Sequence, residues 1–315
     1  MVFLPEASDY IGSSPDETKS LCRSVHESAF AKGLQEDAKK HSIAIAVGVH
    51  EPSDDKDSKR LKNTSLWIDD QGQISQRYQK VHLFDLDVED GPKMKESNIM
   101  EPGREILTPF PTVLGKVGCM ICFDLRFPEI ALSLKRQGAD VLLYPSAFTP
   151  ETGKVHWHTL LKARAIETQC FVIAAAQVGA HNEKRSSYGH SIAIGPWGEV
   201  IAELGEEKKD EPEVLIVEID LERIKTVRKG MPQSRRTFVA LSIPKSTVAV
   251  LTCHPEISML RSEAMLRVST HRYGYGELEV CASRIQCGAQ LSVFYWASSS
   301  QQKPHARVVL FSPHD

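Results

Sequence analysis

Short apolar runs alternate with longer amphipathic stretches through most of the chain, and the spacing assigns elements. Leu21 to Lys40 reads as a helix, and Ile43 to Val49 as a buried strand. Asn63 to Asp69 and Gln73 to Lys80 read as two strands joined by the turn Asp70-Gln71-Gly72. Further along come a strand at Lys116 to Ile121, a helix at Pro128 to Gln137, a strand at Val141 to Pro145, a helix at His156 to Thr168 and a strand at Phe171 to Gln177. Ser191 to Ile194, Val200 to Glu203 and Val214 to Ile219 complete the strands, and the charge run Glu51 to Lys62 reads as a solvated loop. Strands interleaved with helices, several of them apolar on both faces, predict an α/β fold whose sheets are covered by helices. From Thr237 to Asp315 no helical or strand period is sustained.

Composition narrows the partner more than the fold. A chain of 315 residues with 41% hydrophobic content can bury one large core or two modest ones, and a formal charge of -3 supplies no basic field for nucleic acid. A small molecule is the expected partner. Seven cysteines, an odd number, do not form a disulfide framework and point to a reducing compartment. No apolar run approaches the roughly 20 residues of a membrane helix, and Met1-Val2-Phe3-Leu4-Pro5 lacks the charged start of a signal peptide, so no membrane partner is expected. No glycine-rich phosphate loop implies a nucleotide cofactor, and the expectation is that there is none.

The most informative stretch is Val117 to Glu129, VGCMICFDLRFPE. Its apolar run ends on Cys122, and the chain passes through Phe123, Asp124 and Arg126 before Pro128 opens a helix. A cysteine at such a corner is expected to be exposed beside a helix N-terminus, where a thiol ionises readily. Glu6 in Phe3-Leu4-Pro5-Glu6 and Lys80 in Tyr78-Gln79-Lys80-Val81 are charges at the ends of strand-like segments. Singly, Glu6 reads as a helix-start acid, Lys80 as a strand-end lysine and Cys122 as a core thiol. Jointly they suggest a cysteine amidohydrolase. Cys119 and Cys122 also form a C-x-x-C pattern, but a zinc site normally needs a second ligand pair, and three positions along a strand put the two side chains on opposite faces. His82, His156, His158 and His190 are scattered in sequence and read as core or pocket hydrogen-bonders, so no metal is expected.

The segments LPEA, YQKVHLFD and CFDLRFPE, in this order, resemble the Glu-Lys-Cys triad of the nitrilase superfamily of carbon–nitrogen hydrolases, with a likeness running from about Val2 to Arg236. Within it, His156 to Ser191 resembles the deaminated glutathione amidase branch, and the omega-amidase branch differs through Gln169 to Lys184. The resemblance implies a four-layer α-β-β-α sandwich. It makes Cys122 the nucleophile, Glu6 the general base, and Lys80 with the Phe123 N–H the groups that stabilise the oxyanion. Glu96, in Lys95-Glu96-Ser97-Asn98, matches an additional glutamate that positions Lys80 or the substrate. Deaminated glutathione carries two carboxylates, for which Arg126, Lys184 and Arg185 are candidates, although surface salt bridges account for any one of them as well. Many relatives carry a carboxylate where this chain has His158.

The likeness also implies a homodimer or higher homo-oligomer, and a cytoplasmic protein or, with an N-terminal extension, a mitochondrial form. The family's first strand and helix ordinarily precede the glutamate segment, so residues 1–236 read as a hydrolase domain shortened at its start. Residues 237–315 read as an unassigned tail, a gene-model artefact in preference to an extra segment. The alternatives are an omega-amidase or other small-amide hydrolase, and an impaired member acting as a binding protein.

Overall fold

The computed structural model describes residues 1–87, 93–206, 213–233 and 306–312, with backbone alone at 87, 93 and 306–312. The helices are α1 (Pro15–Leu21), α2 (Ala29–His41), α3 (Pro128–Arg136), α4 (Pro150–Thr168) and α5 (Leu221–Gly230). The strands are β1 (Val2–Phe3), β2 (Ile45–Pro52), β3 (Leu61–Ile68), β4 (Ile74–Gln79), β5 (Asp85–Asp87), β6 (Lys93–Lys95), β7 (Phe110–Thr112), β8 (Gly115–Cys119), β9 (Val141–Leu143) and β10 (Phe171–Ala174). They continue with β11 (Val178–Asn182), β12 (Arg185–Tyr188), β13 (Ile192–Ile194), β14 (Val200–Glu203), β15 (Glu213–Ile219) and β16 (Ala306–Ser312).

Two six-stranded mixed sheets carry the fold, ordered β15-β16-β1-β2-β3-β4 and β14-β13-β10-β9-β8-β7. The alternation of side chains along a strand divides the first sheet's contacts. Val2 and Leu4 with Ile45, Val47 and Val49 join Ala31, Leu34 and Ala38 of α2 in one core. Phe3, Ala46 and Trp67 point the other way, into the core that holds the second sheet. There Trp67 meets Phe110 edge-on at 5.0 Å and Phe3 at 6.1 Å between ring centroids. The far face of the second sheet buries Ile130, Ala131 and Leu134 of α3 and Trp157, Leu161 and Ala165 of α4. Helix, sheet, sheet and helix thus form four layers, the expected α/β sandwich.

Several boundaries differ from the sequence reading. The helix expected over Leu21 to Lys40 starts only at Ala29: α1 ends at Leu21, and residues 22–28 form a turn that leads to the Ser28 cap of α2. The Ser24 carbonyl accepts from the N–H groups of Glu27 and Ser28, and the Ser28 hydroxyl caps the Ala31 N–H at 3.2 Å. Helix α4 begins at Pro150, not His156, with Thr149 as its cap and proline in its first turn. The charge run is a loop only in its middle: Glu51 pairs with Lys62 and Pro52 with Leu61, extending the hairpin, and Glu51 is buried.

The expectation of no strand in residues 237–315 is corrected at 306–312. That segment runs parallel to β1, with Val2 opposite Val309, and antiparallel to β15. Its short apolar run, Val308-Val309-Leu310-Phe311, suits a strand flanked on both sides but is too brief to stand out as a period. By contacts the chain divides into Met1–Pro232 with Ala282–Asp315, and a second unit, Gln233–Cys281, which lies outside the described residues apart from Gln233.

Candidate active site

Glu6 leaves the C-terminal end of β1, and its placement depends on an adjacent glycine. A Cβ on Gly48 of β2 would lie 2.5 Å from Glu6 Cα and 2.7 Å from the Pro5 carbonyl oxygen, so only glycine lets the two backbones approach. The turn is held by Gln177, whose Nε2 donates to the carbonyls of Glu6 at 3.0 Å and Ala7 at 3.2 Å. Lys80 follows β4 directly; its N–H donates to the Asn63 carbonyl at 2.9 Å, and its own carbonyl accepts from Gly103 at 2.7 Å. Glu96 opens a single 3-10 turn, Glu96–Asn98, after β6.

These three charges meet out of water. Lys80 Nζ is 2.8 Å from Glu6 Oε1 and 2.9 Å from Glu96 Oε2, and its side chain is 2% exposed. Asn63 Nδ2 donates to Glu6 Oε1 at 2.8 Å and Glu96 Oε1 at 3.0 Å, tying the carboxylates together. The remaining oxygen, Glu6 Oε2, accepts from the Ala147 N–H at 2.8 Å, and Glu96 Oε2 accepts from the Phe84 N–H as well, at 2.6 Å. Burial pushes the Glu6 carboxyl up, but the neighbouring ammonium and the hydrogen bonds from Lys80, Cys122 and Asn63 outweigh it and hold Glu6 below the ordinary carboxylate range. Burial likewise disfavours the ammonium, yet the charges of Glu6 and Glu96 raise Lys80 well above its ordinary value.

Cys122 stands three residues beyond the end of β8, with its N–H donating to the Pro145 carbonyl at 3.0 Å. Its φ of +45° lies in the left-handed region, an uncommon conformation for a residue with a side chain. The chain then makes a 3-10 turn, Cys122–Arg126, whose first N–H groups include that of Phe123. Asp124, fully buried, fixes this corner. Its Oδ2 accepts from the Tyr78 hydroxyl at 2.7 Å and the Ile121 N–H at 3.0 Å, and its Oδ1 meets the N–H and ring Nδ1 of His82, each at 2.9 Å.

The expectation of an exposed, readily ionised thiol is corrected. Cys122 is 7% exposed, and burial followed by the charge of Glu6 pushes its thiol well above the ordinary value, with Lys80 opposing. It therefore rests protonated beside an ionised carboxylate. Cys119 is a free buried thiol pushed up by burial to about 12.

A cavity of about 270 Å³ opens over this cluster. Its lining brings together Glu6, Lys80, Glu96, Cys122, Phe123, Arg126, Lys184 and Arg185, so every site residue singled out from the sequence faces one space. Arg126 reaches it from the end of the Cys122 turn, its guanidinium carbon 5.4 Å from the Phe123 ring centroid and its Nη1 3.2 Å from His156 Nδ1. Lys184 comes from the turn of the β11–β12 hairpin and Arg185 from the first position of β12.

Asn63, Asp124 and Gln177 were missed from the sequence. Asparagine inside the strand Leu61–Ile68, and aspartate between apolar neighbours at Asp124, are types that strand and core positions disfavour, and that was the available signal. His158 and His190, scattered in sequence and read as hydrogen-bonders, both bond to one carboxylate. Helix α4 and the segment before β13 bring both rings to Glu203 at the end of β14.

The carbon–nitrogen hydrolase profile matches residues 1–229, and the chain belongs to that family: it is a hydrolase acting on carbon–nitrogen bonds. It is 48% identical over 236 residues to the probable hydrolase nit2 of Schizosaccharomyces pombe, an alignment spanning 75% of this chain and 84% of that protein. It is 40% identical over 240 residues to the deaminated glutathione amidase of Bos taurus, spanning 75% of this chain and 72% of that one. Among solved structures, it is similar to Nit3 of Saccharomyces cerevisiae, a member of branch 10 of the nitrilase superfamily. The TM-score is 0.63 at 30% identity, covering 75% of this chain and 82% of that one.

Proposed function

We propose that the protein is an amidase that hydrolyses the amide joining the keto-acid part of deaminated glutathione to its cysteinylglycine part, releasing cysteinylglycine through a thioester on Cys122. The observation that carries this reading is the buried carboxylate–ammonium–carboxylate cluster set against a protonated thiol, in a cavity also lined by Arg126, Lys184 and Arg185. The 40% identity to the bovine deaminated glutathione amidase supports the choice of substrate. In the cycle, Cys122 Sγ attacks the amide carbon as its proton passes to Glu6. Lys80 and the Phe123 N–H stabilise the oxyanion. Collapse of the intermediate breaks the C–N bond, and Glu6 returns the proton to the departing cysteinylglycine amine. Glu6 then takes a proton from water as its oxygen attacks the thioester, freeing the acid and the thiol. The cations pair with the substrate carboxylates, and Glu96 keeps Lys80 in place.

Mass spectrometry of the enzyme trapped with substrate is expected to show the acyl group on the Cys122 peptide, and full activity in Cys122→Ala would reject this nucleophile. The ratio of kcat/KM values compares transition-state stabilisation between substrates, so deaminated glutathione is expected to exceed alpha-ketoglutaramate and simple nitriles. A clear preference for alpha-ketoglutaramate replaces this reading with an omega-amidase.

A further inference from the structure

We propose that His158, His190 and Glu203 form a binding site for a zinc-class divalent cation, which clamps α4 to the β13–β14 edge of the second sheet. His158 Nε2 lies 2.6 Å from Glu203 Oε1, and His190 Nδ1 is aimed at the same oxygen from the other side. One ligand atom from each residue lies within 4.8 Å of the others. Two imidazoles and a carboxylate are a set that zinc takes readily, with water completing a tetrahedron. At zinc bond lengths of about 2.0–2.1 Å the ligand atoms stand roughly 3.3 Å apart, so the Glu203 oxygen has to withdraw by less than about 1 Å and the two imidazole nitrogens, now within 4.8 Å, have to settle at that spacing. The cation replaces the two ring protons that now bridge to Oε1. Glu203 supplies the carboxylate oxygen, which both imidazoles already face.

The surroundings orient His190 independently of the cluster. Its carbonyl accepts from Trp157 Nε1 at 2.9 Å, its N–H donates to the Gly205 carbonyl at 3.2 Å, and its φ is +60°. With Nδ1 on the cation the proton resides on Nε2, which is buried, makes no hydrogen bond and lies 3.8 Å from Glu206 Oε2. A carboxylate behind the ligating imidazole is the usual outer partner at zinc. The three ligand side chains are between 18% and 32% exposed, so an ion can enter from solvent. None of them lines the catalytic cavity, so this site is separate from the amidase chemistry.

The test is calorimetric titration of the full chain, free of any histidine tag and stripped with chelator, with zinc chloride alone. One equivalent is expected to bind and to raise the melting temperature. His158→Ala and Glu203→Gln are expected to weaken binding by more than the 10- to 100-fold that loss of an outer partner costs, and Glu206→Gln by about that 10- to 100-fold. If His158→Ala does not fold, judged by circular dichroism, His158→Gln preserves the volume and takes its place. Cobalt in place of zinc is expected to give visible tetrahedral bands without the near-ultraviolet thiolate bands that binding at Cys122 produces. Absence of one-equivalent binding, binding that survives both ligand substitutions, or thiolate bands from cobalt overturns the proposal.

Discussion

Replacing Lys80 with methionine reverses the sign of the pH dependence that Glu6 contributes to stability. In the parent, Glu6 is held below its ordinary value, so its contribution is complete above the unfolded carboxylate pKa and is lost only as pH falls through the folded value. Between pH 5 and 8 it adds no slope. Lys80→Met removes an ammonium 2.8 Å away. At an effective dielectric of about 20 that attraction is worth roughly 6 kcal/mol, or about 4 pK units. Burial and the nearby charge of Glu96 then outweigh the remaining hydrogen bonds from Asn63, Cys122 and the Ala147 N–H, and the Glu6 carboxyl is pushed well above its ordinary value. A carboxyl raised in this way contributes stability that is complete below its unfolded pKa and is lost as pH rises toward the folded one. From pH 5 to pH 7 the gap between parent and variant is expected to widen by roughly 2.7 kcal/mol, one proton's worth of slope. Urea unfolding at closely spaced pH values measures the gap, with Glu6→Gln/Lys80→Met as the control whose slope vanishes. Parallel stability curves for parent and Lys80→Met between pH 5 and 8, or a slope persisting in the control, refute the electrostatic coupling.

Other substitutions test the scaffold around the cluster. Asp124→Asn is expected to lose about 3 kcal/mol in chemical denaturation, because an amide turns one donor-bearing nitrogen toward the donors that both carboxylate oxygens now accept from. Gly48→Ala is expected to cost about 1–3 kcal/mol and to lower kcat about a hundredfold, since the new methyl meets the backbone of Pro5 and Glu6 with no flexible group to yield. Cys119→Ala is expected to lose about 1 kcal/mol of stability with kcat unchanged, as its buried thiol acts only in packing; a large fall in kcat contradicts the division of labour between the two cysteines.

The parts of the fold legible in the sequence are those with an uninterrupted apolar period. Val141 to Leu143 and Phe171 to Ala174 are buried on both faces and stand out as apolar runs, as expected for central parallel strands. Elements set by a side-chain cap or by a distant partner were misjudged. Thr149 and Pro150 start α4 inside a polar stretch, and Ser28 sets the start of α2 eight residues later than the apolar spacing suggested. For the site, the sequence marked chemical types at strand ends, and the structure brings them to one cavity. It did not mark the supports, because Asn63, Gln177 and Asp124 act through partners far along the chain, such as Asn63 with Glu6 and Asp124 with Tyr78. Nor did it disclose the state of the thiol, since the exposure expected from the corner is removed by what packs over it.

A protonated thiol suits the proposed chemistry better than a resident thiolate. With Glu6 and Glu96 ionised, Lys80 charged and Cys122 neutral, the cluster carries one net negative charge. In the proposed attack of Cys122 on an amide, its proton moves to Glu6 while a charge appears on the substrate oxygen, so the total is unchanged. A buried site can host that rearrangement without drawing a new charge out of water, which is the costly step in a low-dielectric interior. It also gives Glu96 a definite task. While Glu6 is transiently neutral, Glu96 is the carboxylate that still holds the ammonium, 2.9 Å away and oriented by the Phe84 N–H and Asn63. A site with Glu6 alone would leave Lys80 without a carboxylate partner once Glu6 takes the proton, at the moment the oxyanion needs it, whereas two carboxylates on one ammonium keep that donor fixed through both halves of the cycle.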